Sequence, residues 1–140
     1  MALSKPDKID VDVLKNGLKD IEIVRKWGYY LAENSPELGQ LSSSQLRKFF
    51  GAVKKIQADF DNQKSEIVLL EPKLAYAVGR DFDKQKQKQK TKIKEFYEML
   101  RDLIQKVGSD NDSKKRFKRF VDVFESIVAF HKEKEEVKPA

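Results

Sequence analysis

The chain has 140 residues, of which 39% are hydrophobic and 37% charged, and its formal net charge is +6. This length fits one domain, and the absence of cysteine excludes disulfides, thiolate nucleophiles and cysteine-based zinc sites. No apolar run approaches the ~18 residues that span a bilayer, and the first ten residues lack the apolar core of a signal peptide, so we expect a cytoplasmic protein without a membrane partner.

The chain begins with a polar segment, and an amphipathic helix follows it. Residues 1–17 carry little apolar pattern and are interpreted as a polar N-terminal arm, either mobile or folded as a short helix. Leu18, Ile21, Val24, Trp27 and Leu31 then recur at helical spacing. The turn-forming sequence NSPELG, which follows at residues 34–39, is predicted to end this helix.

A second helix is predicted from a capping box in which Ser42 pairs with Gln45. Its apolar residues share an arc of about 120°, and they are Leu46, Phe49, Phe50, Val53, Ile56 and Phe60. A third helical segment covers residues 67–80, where Pro72 either kinks the helix or starts a new one after Glu71.

The last third of the chain opens with KQKQKQKTK at residues 84–92, which predicts a flexible linker or exposed helical turns. Two well-patterned helices follow, with a loop from Gly108 between them. The first covers residues 93–107, and the last opens with the cations of residues 114–119 and has its apolar residues at 117–128. Residues 133–140 are interpreted as a charged tail. The sequence therefore predicts an all-α protein, with residues 18–132 forming a single compact bundle of about five amphipathic helices.

Signals for catalysis are weak. The only histidine, His131, falls on the apolar arc of the last helix and is typical of a packing residue. No P-loop, dinucleotide fingerprint or nucleophile elbow occurs. The pairs Asp59/Asp61 and Asp81/Asp83 point apart on a helix, because residues two positions apart do not face each other. We therefore expect no enzymatic activity, no metal site and no cofactor.

The basic residues are more informative, because positive charge is concentrated in the middle of the chain. Residues 41–80 hold seven cations against four acids, and residues 81–119 hold thirteen against seven. Arg47 and Lys54 project on nearly the same side of the second helix, and Lys48 and Lys55 on the neighbouring side. Gly51 lies between these pairs, where its small size lets a phosphate backbone approach.

Two further clusters follow. Lys73, Tyr76 and Arg80 share one side of the third helical segment. Cations that include Lys115, Arg116 and Arg119 open the last helix, where each opposes the helix dipole by about 0.3–1 kcal/mol. Binding of a polyanion and an ordinary solvated surface explain these clusters about equally well. No base-reading motif is present, so contact with phosphate backbone independent of sequence is the favoured mode of binding.

Two strings carry a family resemblance, namely LSSSQLRKFF at 41–50 with VKKI at 53–56, and LEPKLAYAVGR at 70–80. Together they resemble the small subunit of type III-A (Csm-type) CRISPR effector complexes, and the helical pattern agrees from about residue 21 to residue 130. The resemblance implies a non-catalytic five-helix protein of antiviral defence. Several copies would stack beside the backbone and large subunits and line the groove that holds CRISPR RNA paired with target RNA.

In that family basic side chains contact the RNA backbone, mainly that of the target strand. Arg47, Lys48, Lys54, Lys73 and Arg80 match basic positions of the family pattern, and the resemblance assigns no role to the KQKQKQKTK run. The complete set of RNA-binding candidates is Arg47, Lys48, Lys54, Lys55, Lys73, Tyr76, Arg80, Lys115, Arg116 and Arg119. Two alternatives remain: a helical adaptor that binds only protein, and a small DNA-binding protein, for which no recognition helix is evident.

Overall fold

The structure is a computed structural model, and it describes residues 3–108 and 112–137. Helices dominate these ranges, which confirms the predicted all-α bundle. The helices are α1 (Val13–Asn16), α2 (Ile21–Leu31), α3 (Ser43–Ala58), α4 (Phe60–Gln63), a 3-10 helix (Lys64–Leu69), α5 (Leu70–Asp81), α6 (Ile93–Val107) and α7 (Ser113–Glu136). Two short strands, β1 (Phe82–Asp83) and β2 (Lys88–Gln89), lie between α5 and α6.

The segment predicted as a polar arm packs on the bundle within residues 3–17. It contains the short helix α1, and the side chains of Ile9 and Leu14 are buried. The indole Nε1 of Trp27 donates a hydrogen bond to the carbonyl oxygen of Asp7 at 2.8 Å. Helix α2 begins after Asp20, whose carboxylate accepts the backbone N–H of Glu22 and so caps the helix.

Helix α3 begins at the predicted capping box. The Ser42 hydroxyl accepts the backbone N–H of Gln45 at 3.1 Å, and the Gln45 side-chain oxygen accepts the backbone N–H of Ser42 at 2.9 Å. These two bonds satisfy orphan donors of the first helical turn. Phe60, placed in this helix by the apolar arc, instead begins α4, where its ring lies 5.8 Å from that of Phe117.

The core is centred on α7, the longest helix, which packs most extensively against α2 and also contacts α1, α3 and α6. Phe49 of α3, Phe96 of α6 and Phe124 of α7 form an aromatic cluster with ring centroids 5.2–6.1 Å apart. These rings are almost completely buried. The apolar arcs of the sequence therefore meet in one shared core, which holds α3, α6 and α7 in fixed relative positions.

The lysine-rich run was predicted as a linker or as helical turns, and that prediction is wrong. Strands β1 and β2 pair antiparallel, with Phe82 opposite Gln89 and Asp83 opposite Lys88, so the run folds into a hairpin. The local reason is Asp83, whose carboxylate accepts the backbone N–H groups of Gln85 and Lys86 and closes the turn.

Two predicted features fall partly on residues outside the described ranges. The loop after residue 107 includes residues 109–111, and the charged tail includes residues 138–140; both lie outside the described residues. Residues 133–136 of the predicted tail form the last turn of α7. There Lys134 makes an ion pair with Glu33 at 3.6 Å, and the Tyr29 hydroxyl donates to the Glu133 carboxylate, which raises the pKa of Tyr29.

Candidate nucleic-acid interface

A groove of about 720 Å³ lies between α3, α5 and the base of the hairpin. Four cations line it: Lys48 of α3, Lys73 and Arg80 of α5, and Lys90 just after β2. All four side chains are exposed. Lys73 and Arg80 are seven residues apart on α5, so about two helical turns place them on one side of the helix.

The floor of the groove is apolar and comes from the helix faces that meet the core. Phe49, Leu74 and Ile93 line it and are buried, whereas Tyr76 lines it with 69% of its surface exposed. The Arg80 guanidinium carbon lies 5.9 Å from the Tyr76 ring centroid. This is cation–π range, so Tyr76 holds Arg80 at the rim.

The structure divides the basic residues of α3 between two sides. Arg47 lines a smaller groove of about 270 Å³ together with His131, Glu135 and Glu136. Successive residues of a helix are about 100° apart, so Arg47 and Lys48 serve different grooves. The Arg47 side of the helix therefore faces acidic side chains of α7.

Lys54 faces the same helix, and its ammonium group makes an ion pair with Glu125 of α7 at 2.7 Å and lies 5.7 Å from the Phe50 ring centroid. An exposed pair of this kind contributes about 0–1 kcal/mol, but it partly neutralises the lysine. Lys55 and Gly51 are exposed, and nothing lies within 4 Å of a Cβ built on Gly51.

The cations at the start of α7 do not line either of these grooves. Arg119 is half-buried and donates hydrogen bonds to the carbonyl oxygens of Leu14, at 3.2 Å, and Lys15. It therefore satisfies carbonyls of α1, a structural role that sequence spacing does not reveal. Arg116 is half-buried in the first turn of α7, and Lys115 is exposed.

Lys90 is a groove residue that the sequence reasoning missed. The KQKQKQKTK pattern signalled the run as basic, but nothing in it distinguishes Lys90 from its neighbours. The backbone explains its position: the carbonyl oxygen of Lys90 accepts the N–H of Gly39 at 2.8 Å, and its N–H donates to Asp81. These bonds hold Lys90 where the hairpin meets the helices.

Lys92, at the end of the same run, is completely buried. Its Nζ donates to the carbonyl oxygens of Tyr30 and Glu33, each at 2.7 Å, and lies 3.8 Å from the Tyr30 ring centroid. Burial lowers the pKa of Lys92, against the opposing influence of Glu33 and Glu95. Burial also raises the pKa of Tyr30, with a further contribution from its hydrogen bond to Glu95.

His131 is buried, and its Nε2 donates a hydrogen bond to the Leu41 carbonyl oxygen at 2.6 Å. This contact fixes the chain entering α3 against α7, which is a packing role. Within residues 3–108 and 112–137, no three His, Cys, Asp or Glu side chains are grouped so that they could hold a metal ion. No helix in those ranges combines the length and apolarity needed to cross a bilayer.

Comparison with known proteins adds one finding. A family model described as Csm2 Type III-A matches residues 19–136. That stretch includes α2 to α7 and therefore every side of the basic groove. Comparison with curated proteins gave no match, and comparison with solved structures gave none either.

Proposed function

Because the chain belongs to the Csm2 Type III-A family, and so is a small subunit of the type III-A CRISPR effector complex, we propose that it is a non-catalytic subunit that binds RNA backbone. Several copies stack in the complex beside its backbone and large subunits, and each contributes its groove to the path of CRISPR RNA and target RNA. Contact is independent of RNA sequence, since base pairing with the guide supplies the specificity.

The basic groove is the observation that carries this proposal. Lys48, Lys73, Arg80 and Lys90 converge on it from three separate parts of the chain. None of the four lies within 4.0 Å of a carboxylate in the described parts of the chain. Asp81 also lines the groove, but its carboxylate accepts hydrogen bonds from the backbone of Lys90 and Thr91. The groove rim therefore keeps a net positive charge for phosphate groups.

The remaining candidates divide by their surroundings. Lys55 and Lys115 are exposed and available to RNA. Arg47 and Lys54 face acidic residues of α7, and Arg119 is engaged with backbone carbonyls. We propose that the groove cations and Tyr76 make the main RNA contacts, and that Arg47, Lys54, Arg116 and Arg119 contribute less.

A protein-only adaptor is the second candidate, and one observation favours it. Val68 and Leu69 are 67% and 43% exposed at the end of the 3-10 helix, beside the groove. Exposed apolar side chains next to one another are typical of a contact with another protein. In the leading proposal this pair serves stacking with a neighbouring subunit. In the adaptor proposal it is part of the main binding surface, and the cations pair with acidic partners.

The test uses a groove variant, Lys48→Gln with Lys73→Gln and Arg80→Gln, assembled into the complete effector complex. A control variant, Lys19→Gln with Lys26→Gln and Lys106→Gln, removes the same charge from exposed positions outside the groove. Loss of three phosphate contacts should weaken target-RNA binding by about tenfold or more at physiological salt. The control variant should bind target RNA about as tightly as the parent protein. Unchanged binding in a complex that contains the folded groove variant contradicts the proposal. If the groove variant is incorporated poorly, but the complexes that do contain it bind target RNA with the parental affinity, the result supports the adaptor proposal.

A further inference from the structure

The hairpin of residues 82–89 is a basic feature that the family resemblance leaves without a role. Residues 84–92 contain five lysines and no acidic residue. Lys92 is buried, whereas Lys84, Lys86, Lys88 and Lys90 are exposed. Four like charges in seven residues repel one another, so a folded hairpin at this position needs strong anchors.

The anchors are at the base of the hairpin. Asp81 is 8% exposed, and its carboxylate accepts the N–H groups of Lys90 and Thr91 at 3.1 and 3.0 Å and the Thr91 hydroxyl at 2.9 Å. The Gln89 side-chain amide donates to the Val78 carbonyl oxygen at 3.1 Å. These contacts join the returning strand to α5 through groups buried or half-buried in the protein.

A second set of contacts joins the hairpin to the turn after α2. Gly39 pairs with Thr91 in a parallel bridge, and the N–H of Lys92 donates to the Gly39 carbonyl oxygen at 3.1 Å. The Lys92 ammonium group then bonds the carbonyl oxygens of Tyr30 and Glu33. The hairpin is therefore fixed on both sides, and its lysines are presented from a defined position.

Asp83 is an acidic residue close to these lysines in sequence, and its carboxylate is already engaged in hydrogen bonds within the hairpin. The Asp83 carboxylate accepts the N–H of Lys86 at 3.2 Å and that of Gln85 at 3.0 Å, and these bonds, with Lys90 and Lys86 nearby, lower the pKa of Asp83. In the part of the chain that the structure describes, none of the four exposed lysines forms a salt bridge. The hairpin surface thus keeps most of its positive charge.

We infer that the hairpin is a second phosphate-binding surface, which extends the basic groove and takes RNA backbone as it leaves that groove. Lys90 connects the two surfaces, because it lies at the base of the hairpin and also lines the groove with Lys48, Lys73 and Arg80. The glutamines between the lysines are uncharged, which suits backbone contact independent of sequence. This inference rests on the proposed function of the groove.

The experiment compares a hairpin variant, Lys84→Gln with Lys86→Gln and Lys88→Gln, with the groove variant and the control variant. The substitutions lie in exposed positions and leave Lys90, Asp81, Gln89 and Thr91 unchanged, although they remove the long contact of the Lys88 ammonium group with the Glu37 carbonyl oxygen at 3.5 Å. Each full-length chain is titrated with uridine-rich RNA of fixed length over a series of salt concentrations. Each lost phosphate contact on a single strand reduces the slope of log K against log salt by about 0.7, so the hairpin variant should lose up to about 2.

Four outcomes are distinguishable, the last of them by a parallel measurement of binding to the partner subunits. A smaller slope for both the hairpin and groove variants, with the control equal to the parent, supports the inference. A hairpin variant that behaves like the control while the groove variant loses slope overturns the inference and leaves the proposed function standing. Equal slopes for all four chains, or no binding by the parent at low salt, overturn both. A hairpin variant with parental RNA binding but weaker binding to its partner subunits assigns the hairpin to a protein contact instead.

Discussion

Lys92 belongs to the lysine-rich run of residues 84–92, but it has a structural role that the other lysines of the run do not share. It is one of five lysines in nine residues, and it alone among them is completely buried. Its ammonium group bonds the carbonyl oxygens of Tyr30, in the last turn of α2, and of Glu33, just after it. Carbonyl groups at a helix C-terminus lack partners within the helix, and within the described residues the Tyr30 oxygen otherwise accepts only the backbone N–H of Glu33 at 3.3 Å. A cation at a helix C-terminus also interacts favourably with the helix dipole. The contact ties the start of α6 to the end of α2.

Replacement of Lys92 by Met should destabilise the fold, because the Glu33 carbonyl oxygen loses its donor and the Tyr30 carbonyl oxygen keeps only the backbone N–H of Glu33 at 3.3 Å. An unsatisfied buried polar group costs about 1–3 kcal/mol, so we expect a loss of that size in the free energy of unfolding. Denaturant unfolding measures it. Lys94→Met is the matched control, since Lys94 is exposed on the same helix. Equal stability of the two variants would show that the buried contact contributes nothing.

At the scale of elements, local signals predicted the helices well. The capping box of Ser42 and Gln45 and the apolar arc that follows depend on residues close in sequence, and both are present in α3. Helix α6 has the predicted bounds, because its apolar residues keep one helical period from beginning to end. Local capping and periodicity were sufficient for these two elements.

The hairpin and the groove were not predictable in the same way. The hairpin depends on contacts of Thr91 with Asp81, at the other end of the hairpin, and with Gly39, which is far away in sequence. The alternation of Lys and Gln does not indicate either contact. The groove depends on how α3 faces α5. Helical spacing alone assigned Lys48 and Lys73 to separate surfaces, and only their packing around Phe49 and Leu74 brings them to one groove.

The contact between α2 and α7 depends on Gly28. A Cβ at this position would lie 2.6 Å from the Cβ of Phe130 and 2.8 Å from the Ile127 carbonyl oxygen, so Gly28→Ala must separate the helices. We expect a loss of about 1–3 kcal/mol in the free energy of unfolding. Gly51→Ala is the control, because nothing lies within 4 Å of its Cβ and alanine favours a helix by about 0.8–1 kcal/mol. Urea unfolding should therefore move in opposite directions for the two variants.

At the scale of the whole molecule, charge is distributed unevenly. Residues 41–119 hold twenty cations against eleven acids, whereas the remaining residues hold nine against twelve. The groove and the hairpin both lie in the positive part, and α7 ends in the negative part, beside Arg47. If the groove binds RNA as proposed, this separation of charge would orient the molecule so that the groove approaches the polyanion first, with the acidic surface turned away.

Binding by the assembled groove should therefore respond to salt and not to base sequence. The four groove cations on a single strand contribute about −2.8 to the slope of log K against log salt, so affinity should fall at least about fiftyfold between roughly 50 and 200 mM salt, and further where the hairpin lysines also bind. RNAs of equal length and different unstructured sequence should bind with nearly equal affinity, since contacts with phosphate groups carry no direct sequence information. Titration of the full-length chain with two such RNAs measures both quantities. A strong preference for one sequence, or an affinity that is indifferent to salt, would mean that the groove recognises bases or apolar surface and that its cations are ordinary solvated residues.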